Sequence, residues 1–526
     1  MQATCTIVPS VNPRVHRETR PLHPALVMAG SGETVSFAEL DARANRLAQV
    51  LHGHGLRPGD GVAVLLENSS RVFDCYWAAI RSGLYLTPIN AHLGPDEAAY
   101  IIEDCGAKAL ITSCALRDLA VATVHRLGGC SLRLMVDGAA PGFEAFEDLV
   151  DEAPDAPLEE EVRGETMLYS SGTTGRPKGI RRPLSGLPLD QLSPNAALAN
   201  RLWGMDADTR YLSPAPLYHA APLGFTSSVQ ALGGTAVVME AFDARAAIGH
   251  IDSHAITHSQ WVPTMFSRML KLDPGERDGL DGSTHRVAVH AAAPCPIEVK
   301  RQMIEWWGPI LCEYYAGTEM NGFVHCTSEE WLTRPGTVGR SILGTIHICD
   351  DRGVEVPTGE SGTVYFEREV VAFEYHNDPA KTRRAQHPDH PTWSALGDIG
   401  HVDDDGYLFL TDRSTFMIIS GGVNIYPQEI ENELILHPAV ADVAVFGVPH
   451  PDLGEQVKAV VEPARGVTPD EELGAELIRW LGDRVARYKL PRSLDFAAEL
   501  PRSPTGKLYK KALRDPFWAA GDRPIA

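Results

Sequence analysis

No pair of cysteines stands at the C-x-x-C spacing of a zinc site, and the nine cysteines, an odd number, scatter from residue 5 to residue 349. That excludes a zinc-ribbon framework and a paired disulfide scaffold, and predicts reduced thiols in a cytoplasmic protein. Long hydrophobic runs are also missing. The most apolar stretches, such as VAVLL at 62–66, fall far short of the roughly 20 residues that cross a bilayer. Residues 1–20 have no continuous apolar segment, so a secretory signal is not expected. Aromatics are sparse at 7%, and positive charge is in deficit: 47 Lys and Arg against 69 Asp and Glu give a formal net charge of −22. So acidic a surface argues against nucleic acid or an anionic membrane as a partner. An anionic ligand must be met by local positive charge.

What is present is a chain of 526 residues, 44% hydrophobic and 22% charged, the composition of a globular protein with two or more domains. After residue 33, helical and extended patterns alternate. FAELDARANRLAQVLHGHG (37–55) and SRVFDCYWAAIRSG (70–83) predict helices closed by glycine; VAVLL (62–66), KALITS (108–113) and LRLMVDG (132–138) predict buried strands. The style returns over roughly 205–330. Such alternation predicts an α/β fold with mostly parallel sheets. From about 340 the texture turns to short β-rich segments. A strand, a glycine turn and an amphipathic helix at 416–438 open a smaller α+β module. The expected boundaries are 1–413 for a large N-terminal domain of two α/β sheets and a small β-rich subdomain, and 414–526 for a small mobile C-terminal domain. LGGCSL (127–132) superficially resembles a phosphopantetheine attachment site, but it lies inside the α/β pattern and is set aside.

Chemistry concentrates in a few strings. YSSGTTGRPKG (169–179) offers small residues that let the backbone approach phosphate oxygens, hydroxyl donors at Ser170, Ser171, Thr173 and Thr174, and a point charge at Lys178. It is not a Walker A loop, because Pro177 precedes the lysine. EYYAGTEMNG (313–322) pairs an aromatic with a Thr–Glu dipeptide suited to a base and to Mg²⁺. In WSALGDIGHVDDDGYLFLTDR (393–413), Asp398 suits a ribose diol, and Arg413 suits the ribose or the phosphates. SGGVNIYPQEIE (420–431) and the terminal PTGK, ending at Lys507, complete the set.

These five strings, in this order and spacing, resemble the ANL superfamily of adenylating enzymes, and specifically its acyl-CoA synthetases, over about residues 33–514. The resemblance implies that Ser170, Ser171, Gly172, Thr173, Thr174, Gly175 and Lys178 hold phosphates. Glu313, Tyr314 and Tyr315 would form the adenine side with Ala292, Ala293 and Pro294. Thr318 would contact the α-phosphate, Glu319 would ligate Mg²⁺, and Asp398 and Arg413 would hold the ribose. Lys507 would bridge carboxylate and α-phosphate, with His219 beside the reacting carboxylate. His219, Ala220, Leu223, Gly224, Ala316 and Gly317 would line the acyl pocket. Ser420, Gly421 and Gly422 would face a pantetheine tunnel once the C-terminal domain turns about a hinge at Thr415, where the family usually has Asp or Lys. Further departures are Ala316 and the His290-Ala291-Ala292 run, where the family carries glycine or small residues.

The implied cosubstrates are ATP and coenzyme A, with Mg²⁺. The implied partner is a neutral, bulky apolar carboxylic acid: a medium or long fatty acid, or a ring-bearing one. CoA is the expected acceptor, since little chain follows Lys507. An acyl-AMP ligase serving a separate carrier protein, and a non-catalytic nucleotide-binding homologue, are the alternatives. The reading leaves room for a homodimer.

Overall fold

The computed structural model describes residues 12–170, 177–371, 373–413, 416–420, 423–502 and 508–519; for Ser170, Asp412, Arg413, Asn424 and Ala519 it describes the backbone alone. The architecture is mixed α/β, and the described chain gathers into two compact units. The first comprises residues 1–260, 280–288 and 373–379; the second comprises 261–279, 289–372 and 380–526.

The first unit contains a six-stranded sheet. Its order is Glu144–Ala145, Leu132–Val136, Ala107–Ser113, Gly61–Leu65, Tyr85–Pro88 and Glu165–Thr166, with every pair parallel. A parallel sheet is covered on both faces, so its strands read as unbroken apolar runs. Val62, Ala63, Val64 and Leu65 are accordingly all buried. The helix Phe37–Gly53 starts at a reciprocal cap: the Ser36 hydroxyl accepts from the Glu39 amide at 3.3 Å, and the Ser36 amide donates to the Glu39 carboxylate at 2.8 Å. It buries Leu40, Ala44, Leu47 and Leu51 at helical spacing and stops two residues before Gly55, whose φ of 86° requires glycine. Pro24–Met28, Thr235–Val238 and Arg210–Ser213 form a second parallel group. The helix Ala220–Leu232 leads into Thr235–Val238 through Gly233.

The second unit is antiparallel where the sequence turns β-rich. Leu311–Tyr315, Phe323–Cys326, Thr337–Leu343, Leu408–Arg413, Trp393–Val402, Gly362–Glu367 and Thr345–Cys349 follow one another in the sheet. Residues beyond 416 build their own core. There Val440–His450 and Gly454–Pro463 pair as a long antiparallel ribbon, and the helices Pro427–Leu434 and Glu471–Gly482 bury Ile430, Leu434 and Leu477 on it. No helix among the described residues is long and apolar enough to cross a membrane.

A charged pair sits inside this last core. Lys510 Nζ lies 2.7 Å from the Glu431 carboxylate, both residues are buried, and the same carboxylate accepts from the Val445 amide at 2.6 Å. Removing one partner strands the other charge in a low-dielectric site. Glu431→Ala is therefore expected to destabilise the C-terminal portion by about 3–5 kcal/mol. The paired replacement of Glu431 and Lys510 by methionine should cost much less, as read from urea denaturation midpoints.

Candidate active site

The two ends of the string at 169–179 pair as antiparallel strands. Leu168–Ser170 pairs with Lys178–Arg181 so that Lys178 stands opposite Ser170 and Gly179 opposite Tyr169. A third strand, Glu374–Tyr375, pairs with Lys178–Arg181 on its other edge. Residues Ser171, Gly172, Thr173, Thr174 and Gly175 lie outside the described residues. The ladder on either side of them nevertheless brings Lys178 and Ser170 to one end of the sheet. Gly179 is needed for close approach: a Cβ there would meet the Met167 Cε at 2.6 Å and the Tyr169 hydroxyl at 3.0 Å. Tyr169 is held in turn, donating to Asp104 at 2.6 Å. In the same unit, His219 occupies the N-cap of the helix Ala220–Leu232, half-buried, with its ring 4.4 Å from that of Tyr218. Ala220 and Gly224 lie half-buried on this helix, whereas Leu223 is buried in the core.

The second unit assembles the motifs assigned to the adenosine. The strand Leu311–Tyr315 alternates: Leu311 and Glu313 face the interior, and Cys312 and Tyr314 the other side. Tyr314 stacks on Phe323, centroids 5.0 Å apart. Tyr315 donates its hydroxyl to Asp398 at 2.7 Å. Asp398 is directly across from Arg413 in the antiparallel pair Trp393–Val402 and Leu408–Arg413. Residues distant in sequence thus meet at one edge of the sheet. Beyond Tyr315 the chain turns through Ala316, Gly317 and Thr318, and the Met320 amide bonds back to the Gly317 carbonyl at 3.0 Å. Glu319 is buried at this turn, and a Cβ on Gly317 would meet Leu396 at 2.1 Å and the Glu319 carboxylate at 3.0 Å. Ala293 and Pro294 are exposed at the end of the strand Val287–His290, and Ala292 beside them holds φ at 77°. That left-handed conformation is disfavoured for alanine.

Sequence reading missed the support beneath this strand. Lys300, fully buried on the helix Ile297–Trp307, reaches Glu313 at 2.5 Å and lies 5.0 Å from the Trp331 ring centroid. Burial pushes the Glu313 carboxyl above its ordinary range, with the Lys300 ammonium acting the other way. Glu313 therefore bears on the site through the strand it holds. His290 is fully buried 3.7 Å from Glu313, and neither ring nitrogen has a hydrogen-bond partner among the described residues. Burial, then the Lys300 charge, holds its pKa well below the usual imidazole value. A signal for this cluster was available: Lys300 falls in phase with the buried Val299, Met303 and Ile304 of an apolar helix face.

Lys507, Thr415, Gly421 and Gly422 lie outside the described residues, but the backbone flanking each is described. Ser420 pairs with Val423 and with Gly454. Arg502 bridges to Leu508 and forms an ion pair with Asp442, and the Tyr509 amide donates to the Pro501 carbonyl at 2.7 Å. The described residues on either side of 503–507 are thus bonded to each other, shortly before the buried Lys510.

Comparison with known proteins gives a consistent result. Residues 14–376 match the AMP-binding enzyme family, and residues 429–507 match the AMP-binding enzyme C-terminal domain. The chain is 34% identical to a feruloyl-CoA synthase of Amycolatopsis over 507 residues, covering 96% of this chain and 98% of that one. It is 32% identical to the long-chain-fatty-acid–CoA ligase FadD13 of Mycobacterium tuberculosis over 506 residues, covering 94% and 95%. The crystal structure of an anthranilate CoA ligase, AuaEII, with anthranoyl-AMP is similar at a TM-score of 0.82 and 26% identity, covering 99% of each chain.

His290 leads to a pH prediction. Below the ordinary imidazole pKa of 6.5 the unfolded chain takes up a proton at residue 290 that the folded chain refuses. Stability therefore falls as pH drops below that value, by up to about 1.4 kcal/mol per pH unit for this residue. The loss ends only where the folded imidazole itself titrates. His290→Gln should flatten the acid limb of a denaturation-midpoint profile taken between neutrality and mild acid.

Proposed function

Because the chain belongs to the AMP-binding enzyme family, we propose that it is an AMP-forming carboxylate–CoA ligase whose acid is bulky and largely apolar. The observation that carries the reading is the convergence of Tyr315 and Asp398 at 2.7 Å, with Arg413 across the ladder and buried Glu319 on the following turn. The acid's carboxylate attacks the α-phosphorus of ATP, a P–O bond to pyrophosphate breaks, and an acyl-AMP forms. The CoA thiol then attacks the acyl carbon, and AMP leaves with the electron pair while the thiol proton is lost to solvent or a base. Both reactants of the first step are anions, so the chain's contribution is to gather positive charge and backbone donors around them.

In this reading Lys178 and the loop at 170–175 hold the outer phosphates. Tyr315 and the turn Ala292-Ala293-Pro294 flank adenine. Asp398 and Arg413 take the ribose hydroxyls. Thr318 meets the α-phosphate, and Lys507 neutralises the pair of reacting oxygens. His219 stands at the carboxylate, at the positive end of the helix Ala220–Leu232. A magnesium ion fits the donor set, a single hard carboxylate at Glu319, since such an ion takes one or two protein carboxylates and the nucleotide phosphates. When bound it supplies charge neutralisation at those phosphates.

Residues 1–413 and 414–526 are taken as the two functional domains. Rotation about the hinge at 415 would exchange Lys507 for Ser420, Gly421 and Gly422 at the site. The names of the similar proteins, for ferulate, long-chain fatty acids and anthranoyl-AMP, support an apolar or ring-bearing acid.

Two measurements test the proposal. Lys507→Ala should lower adenylate formation by at least about 10²–10³-fold yet still convert supplied acyl-adenylate and CoA to thioester. Equal loss of both half-reactions would contradict the exchange of faces. In a pyrophosphate-release panel, octanoate and aryl-propenoates should outrun acetate and propionate, and CoA should be consumed to thioester. Faster turnover of the short acids, or release unchanged by CoA with no thioester formed, would overturn the assigned substrate or acceptor.

A further inference from the structure

Asp104 is the last residue of the helix Pro95–Asp104, a position where a carboxylate is disfavoured. The final turn of a helix already carries partial negative charge from carbonyls that lack a helical partner, and the chain as a whole bears a net charge of −22. Two neutral donors meet this carboxylate. The Tyr169 hydroxyl donates to Oδ2 at 2.6 Å, and the Asn377 amide donates to Oδ1 at 3.2 Å. The Asp104 carbonyl is met as well, by the His376 ring at 2.9 Å.

These partners come from both outer strands of the three-stranded sheet. Its order is Glu374–Tyr375, Lys178–Arg181 and Leu168–Ser170. Tyr169 lies in one outer strand, and His376 and Asn377 directly follow the other. Between them is Gly179, which pairs with Tyr169 on one side and on the other accepts the His376 amide at its carbonyl at 2.8 Å. The Tyr169 phenol passes over this residue: a Cβ at 179 would meet its Cζ and its hydroxyl each at 3.0 Å. Burial, followed by the neighbouring Cys105 and Asp104, holds the Tyr169 pKa above its ordinary value, so the phenol stays a donor. Asn377 takes a φ of 55°, a conformation that asparagine tolerates better than most residues. Residues 169, 179 and 376 are therefore fastened at one level, one residue from Lys178.

Resting on the ligase reading, in which Lys178 and the loop at 170–175 hold the outer phosphates of ATP, we infer that Asp104 is a positioning residue for that loop. It bonds to both outer strands at the level where the two ends of the loop are paired, and so holds Ser170 and Lys178 in register. A cation or a glycine would suit a helix end better, but a carboxylate can accept from two strands at once. In the ligase reading nothing in this sheet meets adenine or ribose, so the effect falls on the outer phosphates and supports a preference for ATP over AMP.

The test is equilibrium binding of ATP with magnesium, and of AMP, to the full chain by titration calorimetry. The wild-type chain should bind ATP more tightly than AMP. Asp104→Ala should weaken ATP binding about tenfold and leave AMP binding as it was. Equal weakening of both nucleotides, which a loss of folded structure would produce, overturns the inference. So does no weakening of either, or a wild-type chain without preference for ATP. Should Asp104→Ala not fold, Tyr169→Phe keeps the ring and removes only the donor. It should lower ATP affinity alone by about fivefold, and an unchanged affinity would sink the proposal. Where both fold, the double variant should lose no more than Asp104→Ala by itself, and losses that add would contradict the pairing. Pyrophosphate release is assayed alongside. A chain that loses its ATP preference on Asp104→Ala, yet releases no pyrophosphate with any acid, would contradict the ligase reading and leave this inference standing.

Discussion

Two anions have to be pressed together by a protein that is itself strongly anionic. A net charge of −22 means that no general field helps a carboxylate approach a nucleotide, so the positive charge must be delivered at points. In the proposed function two lysines, each next to a β-paired segment, deliver it. Lys178 begins a strand whose antiparallel partner ends at Ser170. The proposed second lysine, Lys507, lies outside the described residues, and Arg502 and Leu508 on either side of it bridge to each other. A lysine held in a paired strand, as Lys178 is, has lost backbone freedom before a ligand arrives, and preorganised charge is worth more than charge that must be collected. Acidic residues elsewhere keep the remaining surface soluble without weakening these points, because exposed charges more than about 10 Å apart are screened at physiological salt.

The same economy explains the buried ion pairs. The strand Leu311–Tyr315 presents Tyr315 to Asp398 at its end and, two residues earlier, Glu313 to Lys300. Period-two alternation places residues 313 and 315 on the same face of the strand, so the register that brings Tyr315 to Asp398 also turns Glu313 toward the helix Ile297–Trp307. A carboxylate sent into a core needs a partner, and Lys300 supplies it from the neighbouring helix, cushioned by Trp331. Residue 313 therefore ties the strand that carries Tyr315 to the neighbouring helix. Glu431 and Lys510 repeat the arrangement three residues beyond Lys507. Buried pairs add little net stability over apolar replacements, and their placement directly behind functional strands suits geometric specification better than stabilisation.

Much of this was legible in the residues. The parallel strands announced themselves as apolar runs without alternation, and the predicted segments at 62–66, 108–113 and 132–138 fall within one residue or two of the strands Gly61–Leu65, Ala107–Ser113 and Leu132–Val136. Helix ends were legible where glycine stood at them, as at Gly55 and Gly83, both with positive φ. What escaped was every relation fixed by packing. No local pattern says that Lys300 finds Glu313, since the pairing depends on how a helix and a strand cross. Nor does the string GIRRPLSGLPLDQLSPN betray that Arg163, upstream of it, binds three of its carbonyls. The tie of Tyr315 to Asp398 was equally hidden, although both residues were individually marked.

Ala292 shows how the two kinds of information combine. The family resemblance flags it because glycine or another small residue is usual there, and the backbone shows why: a φ of 77° suits glycine and strains alanine. An exposed alanine held in a strained conformation needs fixed neighbours on both sides. It has them in the buried strand Val287–His290 before it and the helix Ile297–Trp307 soon after. His290 ends that strand as a neutral imidazole with no hydrogen-bond partner among the described residues, packed 5.5 Å from Phe266 and 3.7 Å from Glu313. The departures at 290 and 292 are therefore coupled. A large ring replaces a small residue in the core and anchors the strand end, and that anchor holds the exposed turn in a conformation its own side chain resists. The turn that the proposed function sets against adenine is thus backed by the Lys300–Glu313–His290 cluster, and its shape depends on that cluster as well as on its own three small residues.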